Sequence, residues 1–158
     1  MLDGAMKNAP TLACRMLLPV QGGTGLRHRQ RAQYNFTPAL ACDNFRSLAA
    51  YLRGCCPTAK PVVVRTGCLE DGTVGECARR PERFVIRLSE HLDEAMSIEV
   101  LCHEWAHAMA WNYNLDKLAR TPGLDPAGFQ IAAHDEAWGC AYSRVWRAYL
   151  TMNEAMSR

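Results

Sequence analysis

The segment His103-Glu104-Trp105-Ala106-His107 places two histidines four residues apart, with a glutamate directly after the first. In a helix, side chains at this spacing lie on one face, about one turn apart. Two such imidazoles can bind one Zn²⁺ ion at N–Zn distances of ~2.0–2.1 Å. Bound zinc lowers the pKa of a water ligand to roughly 7, and an adjacent carboxylate can accept the proton. The segment therefore predicts a zinc site with His103 and His107 as ligands and Glu104 as the general base.

The residues around this segment favour metal binding over a chance match. The HExxH pattern alone also occurs in proteins without a metal. Here, however, Ile98, Leu101 and Trp105 are apolar at helical spacing, and Asp93 can cap a helix that we predict over residues 94–112. A carboxylate inside such a buried helix is costly without a partner, and a cation supplies that partner.

A catalytic zinc site needs a third protein ligand, which leaves the fourth position to water. We favour His134, which lies early in a final helix predicted over residues 130–153. Glu136 is the alternative ligand. On one helix the two side chains point about 200° apart, so both cannot easily reach one ion. Asp135 could then accept a hydrogen bond from a ligand or act as an acid at the helix start.

The elements that must position these residues are predicted from periodicity and from residues that stop helices and strands. Thr37 and Pro38 begin a helix that Gly54 ends. Three strands follow, and residues 112–129 contain glycines and prolines typical of a loop. The predicted fold class is α+β, with a helix over 38–53, strands over 61–65, 73–79 and 83–88, the motif helix and the final helix.

Composition limits the remaining possibilities. The 158 residues suit one domain, which we place at 34–158 behind a flexible arm at 1–33. The net charge of +2 argues against strong nucleic-acid binding, although the basic cluster at 27–31 permits weak DNA association. Eight cysteines without a CxxC pair favour free thiols in a reducing compartment, and no apolar run approaches the ~20 residues of a membrane span. We therefore expect a cytoplasmic protein.

Two segments of this chain resemble the SprT-like zinc metallopeptidases, which are related to the Spartan proteases. These segments are residues 101–108, which contain the HExxH pattern, and residues 134–139, where an aromatic residue, Trp138, follows His134 by four positions. The resemblance implies a minimal zincin fold with an N-terminal helix, a three-stranded sheet, the motif helix and a C-terminal ligand helix. It also implies a zinc endopeptidase with ligands His103, His107 and His134, catalytic Glu104, and a protein or peptide substrate added along the edge of the strand at 83–88.

The chain departs from this family in two respects. Asp135 stands where many relatives have glycine, and the C-terminal cysteine-rich zinc ribbon of many relatives is not found in the 158 residues. A short bacterial or bacteriophage type is the nearer resemblance, with the host cytoplasm as its location if a phage encodes it. The alternatives are a non-catalytic, zinc-organised binding module and a nucleic-acid-associated protein of the same fold.

Overall fold

The computed structural model of the protein describes residues 13–17, 45–70 and 72–158. These residues form an α+β fold in which helices pack against a mixed sheet. In chain order the elements are β1 (Ala13–Leu17), α1 (Phe45–Cys55), β2 (Val62–Gly67), β3 (Thr73–Arg79), β4 (Phe84–Ser89), α2 (Glu94–Ala110), α3 (Tyr113–Leu118), α4 (Pro126–Ala133) and α5 (Glu136–Met156).

The sheet of the described residues has four strands in the order β1-β3-β4-β2. β3 pairs antiparallel with both β1 and β4, whereas β2 and β4 are parallel. The prediction of three strands was therefore wrong. The extra strand, β1, comes from within residues 1–33, which we predicted to form an arm; the rest of that range lies outside the described residues.

The predicted strand at 83–88 corresponds to β4, and its predicted role as the substrate edge was also wrong. β4 lies inside the sheet, with β3 on one side and β2 on the other, so its backbone groups are already paired. The physical reason is that β1 and β2 take the two outer positions. Strand order depends on pairing between distant segments, and the alternation within 83–88 carries no information about it.

The motif helix α2 lies at the centre of the molecule. One side packs against β1, β3 and β4, and the other packs against α1 and α5. Gly75 of β3 allows this close approach, because a Cβ atom there would overlap Val100 of α2 and would lie 3.1 Å from Oε1 of Glu104. The sheet, α1, α2 and α5 thus share one apolar core, in which Leu101 and Trp105 are fully buried.

Residues 112–129, which we predicted to be a loop, contain α3 and the first half of α4. Asn112 caps α3 by accepting a hydrogen bond from the Leu115 amide, and Asp125 caps α4 by accepting from the amides of Ala127 and Gly128. Helices of six and eight residues are too short for a clear apolar period. Their starts are marked by these caps and, in α4, by Pro126 in the first turn. The final helix that we predicted is also two helices, because α4 ends before His134 and α5 begins after Asp135.

Two other expectations concern the whole chain. The seven cysteines within the described ranges are all free thiols, in agreement with the expectation of free thiols. No helix in the described part of the chain is both long and apolar enough to cross a membrane. The first seven residues of the predicted helix at 38–53 and the basic cluster at 27–31 lie outside the described residues.

Candidate metal centre

His103 and His107 lie on the same face of α2, one turn apart. Their Nε2 atoms are 3.2 Å from each other, and their ring centroids are 4.9 Å apart in an edge-to-face arrangement. His107 is almost fully buried, while His103 remains partly open to solvent. α2 therefore positions two imidazoles side by side, as the four-residue spacing predicts.

His134 reaches this pair from the junction between α4 and α5, not from within a helix. It caps the C-terminal end of α4, and the next residue, Asp135, caps α5 by accepting a hydrogen bond from the Trp138 amide. Nδ1 of His134 lies 2.7 Å from the backbone carbonyl oxygen of Gln130, to which it can donate a hydrogen bond. That bond leaves Nε2 as the unprotonated nitrogen, and Nε2 lies 3.1 Å from Nε2 of His103.

The three histidines fit a single tetrahedral metal ion. One nitrogen from each lies within 4.8 Å of the other two. Two ligands at Zn–N distances of ~2.05 Å and a tetrahedral angle are ~3.3 Å apart. The two Nε2–Nε2 distances of 3.1 and 3.2 Å are close to that value. The hydrogen bond from His134 to a backbone carbonyl is also the usual outer partner of a metal-binding histidine.

Burial keeps two of the imidazoles neutral. It lowers the pKa of His103 to about 4, with a smaller contribution from His134. It lowers the pKa of His107 to about 2, with further lowering by the other two histidines, although the Ala133 carbonyl acts in the opposite direction. Because metals bind the neutral form of histidine, neither ring has to lose a proton at neutral pH before it can bind a metal.

Glu104 lies on the side of α2 that faces β3, and it is fully buried. Neither carboxylate oxygen has a hydrogen-bond partner among the described residues. Burial raises the pKa of Glu104 well above its ordinary value, and the charge of Glu76 adds to the rise. A proton acceptor that works near neutral pH needs such a raised pKa.

Trp138 forms the aromatic wall of the cluster. Its ring centroid lies 4.6 Å from that of His134, 4.9 Å from that of His103 and 5.5 Å from that of His107. Tyr142, one turn further along α5, stacks on Trp138 at 5.1 Å and an interplanar angle of 9°. The indole of Trp138 therefore lies against all three imidazoles.

The other residues considered from the sequence lie apart from the cluster. Glu136, the alternative ligand, is exposed and is not grouped with the histidines. Asp135 has the second of its two predicted roles, that of an acid at the helix start.

Sequence reasoning missed Gln130 and Gly75. Gln130 bears the carbonyl that orients His134, and its side chain binds the backbone of β1. Gly75 gives Glu104 its place against β3. A glycine within a strand can signal the close approach of another backbone or helix, so Gly75 offered a clue. Nothing in the sequence marked Gln130.

The fold and the site thus define an α+β protein with a three-histidine cluster capable of binding a metal ion. No protein-family model, no curated protein and no solved structure matches this chain.

Proposed function

We propose that this protein is a zinc-dependent endopeptidase of the HExxH type, similar to the SprT-like metallopeptidases. The observation that carries the proposal is the convergence of His103, His107 and His134 at nitrogen separations suited to one tetrahedral ion. An all-imidazole donor set favours zinc over magnesium, calcium or manganese. Three protein ligands leave one position open, which is the pattern of catalytic rather than structural zinc sites.

Each residue has a distinct role in the proposed reaction. Zinc, when bound, would polarise the scissile carbonyl and acidify a water at its open position. His103 and His107 bind through a rigid helix, while the carbonyl of Gln130 keeps His134 in the tautomer that presents Nε2. Glu104 accepts the proton of the attacking water and returns it to the leaving amine, a task suited to a carboxyl whose pKa is raised.

The test combines metal analysis with cleavage of an unfolded protein substrate. Wild-type protein should retain one zinc per chain after dialysis against a weak chelator, and His134→Ala should lose it because only two ligands remain. Glu104→Gln should retain the zinc and lose about 10²–10⁴-fold in turnover, the usual contribution of a general base. Glu99→Gln is the matched control, since Glu99 is an exposed glutamate on the same helix. Equal cleavage by wild type and Glu104→Gln would reject the mechanism.

A non-catalytic zinc-organised binding module is the second candidate, and one observation favours it. Glu104 is fully buried beside β3, so in this conformation it has no access to solvent. A binding module would hold one zinc, turn over no substrate, and bind its partner equally well after Glu104→Gln. Turnover by the wild type that is lost in Glu104→Gln would exclude this candidate.

A further inference from the structure

β1 occupies the outer edge of β3. Its five residues pair antiparallel with β3, so that Cys14 lies opposite Cys77 and Met16 lies opposite Gly75. On its other side β1 has no neighbouring strand among the described residues. Gln130 of α4 binds it there instead, because its side-chain oxygen accepts from the Arg15 amide at 3.2 Å and its side-chain nitrogen donates to the Ala13 carbonyl at 3.1 Å.

This strand also covers the route to Glu104. Gly75, the β3 residue opposite Met16, is the residue against which the Glu104 side chain packs. Cys14, two positions earlier in β1, is fully buried against Phe129 and Ala133. Since Ala133 directly precedes His134, β1 fills the space between the sheet edge and the segment that carries the third histidine.

We propose that the edge of β3 beside Glu104 is a binding site for an extended peptide, and that residues 13–17 occupy it as an internal strap. This proposal rests on the proposed function and names its substrate class. An external peptide adding to β3 would form the same main-chain hydrogen bonds with β3 as β1 does. Binding of substrate and exposure of Glu104 then require the same event, the departure of β1.

The strap also indicates which side chains the site accepts. Within β1, Cys14 and Met16 point toward α2 and the core, whereas Arg15 points to the opposite face of the sheet, where it pairs with Glu76. The position of Cys14 is closed on all sides, so it fits only a small apolar side chain. The site should therefore bind unfolded segments with a small residue, then a long polar or basic one, then a larger apolar residue.

Cys14 and Cys77 provide the means to test the strap. Directly opposed residues in an antiparallel pair have Cα atoms ~4.5–5.5 Å apart, which lies within the range that a disulfide spans. Oxidised glutathione would take two electrons and two protons from the two thiols, giving the disulfide and two molecules of reduced glutathione. The bond would fix β1 to β3, and peptide mapping by mass spectrometry would verify it.

In the first experiment, full-length protein is assayed reduced and oxidised, with Cys14→Ala as the control that cannot form this bond. Cleavage of an unfolded substrate should fall about a hundredfold on oxidation, because a disulfide across so long a loop opposes opening by at least that factor. It should recover on reduction, and zinc content should not change. Equal cleavage by the reduced and the verified disulfide form would overturn the proposal.

The second experiment loosens the strap. Gln130→Ala removes both side-chain bonds to β1 but leaves the backbone carbonyl that binds His134. The value of kcat/KM should rise roughly five- to thirtyfold, since each lost hydrogen bond is worth a factor of about five. Ile131→Ala, at the adjacent exposed position of α4, should change nothing. A Gln130→Ala variant with normal zinc content and no rise would contradict the strap.

A binding measurement separates failure of the strap from failure of the proposed function. The probe is a fluorescein-labelled synthetic peptide with the sequence of residues 11–19, titrated in an anisotropy assay that needs no turnover. It should bind Gln130→Ala more tightly than wild type and should not bind the disulfide form. If nothing cleaves but this order is observed, the peptide site stands and the enzyme proposal fails. Equal binding to all three forms would refute the peptide site itself.

Discussion

Replacing Glu104 with glutamine should make the metal-free protein more stable, and the gain should grow with pH. The Glu104 carboxylate is fully buried and neither oxygen has a hydrogen-bond partner in the described structure. Glutamine has nearly the same shape but no charge at any pH. The substitution therefore removes the cost of a buried, unpaired charge while leaving the packing against Gly75 almost unchanged.

The sign and size of the effect follow from proton linkage. The pKa of Glu104 is raised above its ordinary value of 4.5, so the folded protein keeps a proton that the unfolded chain releases. Wild-type stability then falls, as pH rises through that window, by up to about 1.4 kcal/mol per pH unit. Glu104→Gln lacks this loss. Its advantage should be near zero at pH 4 and should then grow by up to about 1.4 kcal/mol per pH unit for as long as the folded wild type keeps its proton.

Urea unfolding of chelator-treated protein at several pH values between 4 and 8 measures this difference. The lowered pKa values of His103 and His107 make both proteins less stable as pH falls below 6.5, so this contribution cancels between them. Glu99→Gln, on the exposed side of α2, should show no pH-dependent gain. The reasoning is refuted if Glu104→Gln and wild type differ by the same amount at every pH, or if the variant is the less stable protein at pH 8.

Three further predictions concern stability and metal binding. Gly75→Ala should lower the free energy of unfolding in urea by about 1–3 kcal/mol, because the added Cβ would overlap Val100. Gly67→Ala is the control and should have no effect, since a Cβ there meets nothing within 4 Å. Equal effects of the two substitutions would contradict the packing of α2 on β3. Asp135→Ala should lower the free energy of unfolding by about 1 kcal/mol, because α5 loses its N-cap. Calorimetry measures this change, and an unchanged stability would contradict the role of the cap. Zinc at 100 times its dissociation constant should stabilise wild type by about 2.7 kcal/mol in thermal unfolding, and the same zinc concentration should leave His134→Ala nearly unchanged.

The local elements were predictable from the sequence, whereas the sheet order was not. The alternation of Phe84, Ile86 and Leu88 correctly indicated β4, and Asp93 correctly marked the start of α2. β1 was not predicted, because the five residues around Arg15 show little alternation of apolar and polar residues. Its partner β3 also lies more than 50 residues later in the sequence. The pairing of such distant segments depends on the rest of the fold, so β4 was wrongly expected at an edge.

The part of the site that lies on a single helix was predictable from the sequence. The spacing of His103 and His107 fixes their common face wherever α2 lies. His134 was chosen correctly as a member of the cluster, but the argument against Glu136 assumed one continuous helix. The structure instead brings His134 in at a helix junction, where the caps on either side set its position. The strand that covers Glu104 could not be predicted, because nothing in a sequence states what packs above a helix.

The distribution of unsatisfied polar atoms gives an argument for a functional site that needs no resemblance to any family. Five buried side-chain atoms in the described chain lack a hydrogen-bond partner, and four of them belong to Glu104, His107 and Trp138. Native cores satisfy most buried polar groups, so random placement would not concentrate the exceptions at one cluster. Apolar side chains at these positions would give a more stable protein. The Glu104 carboxylate therefore needs a partner that folding alone does not supply, and under the proposed strap that partner is water and a peptide that enter when β1 leaves.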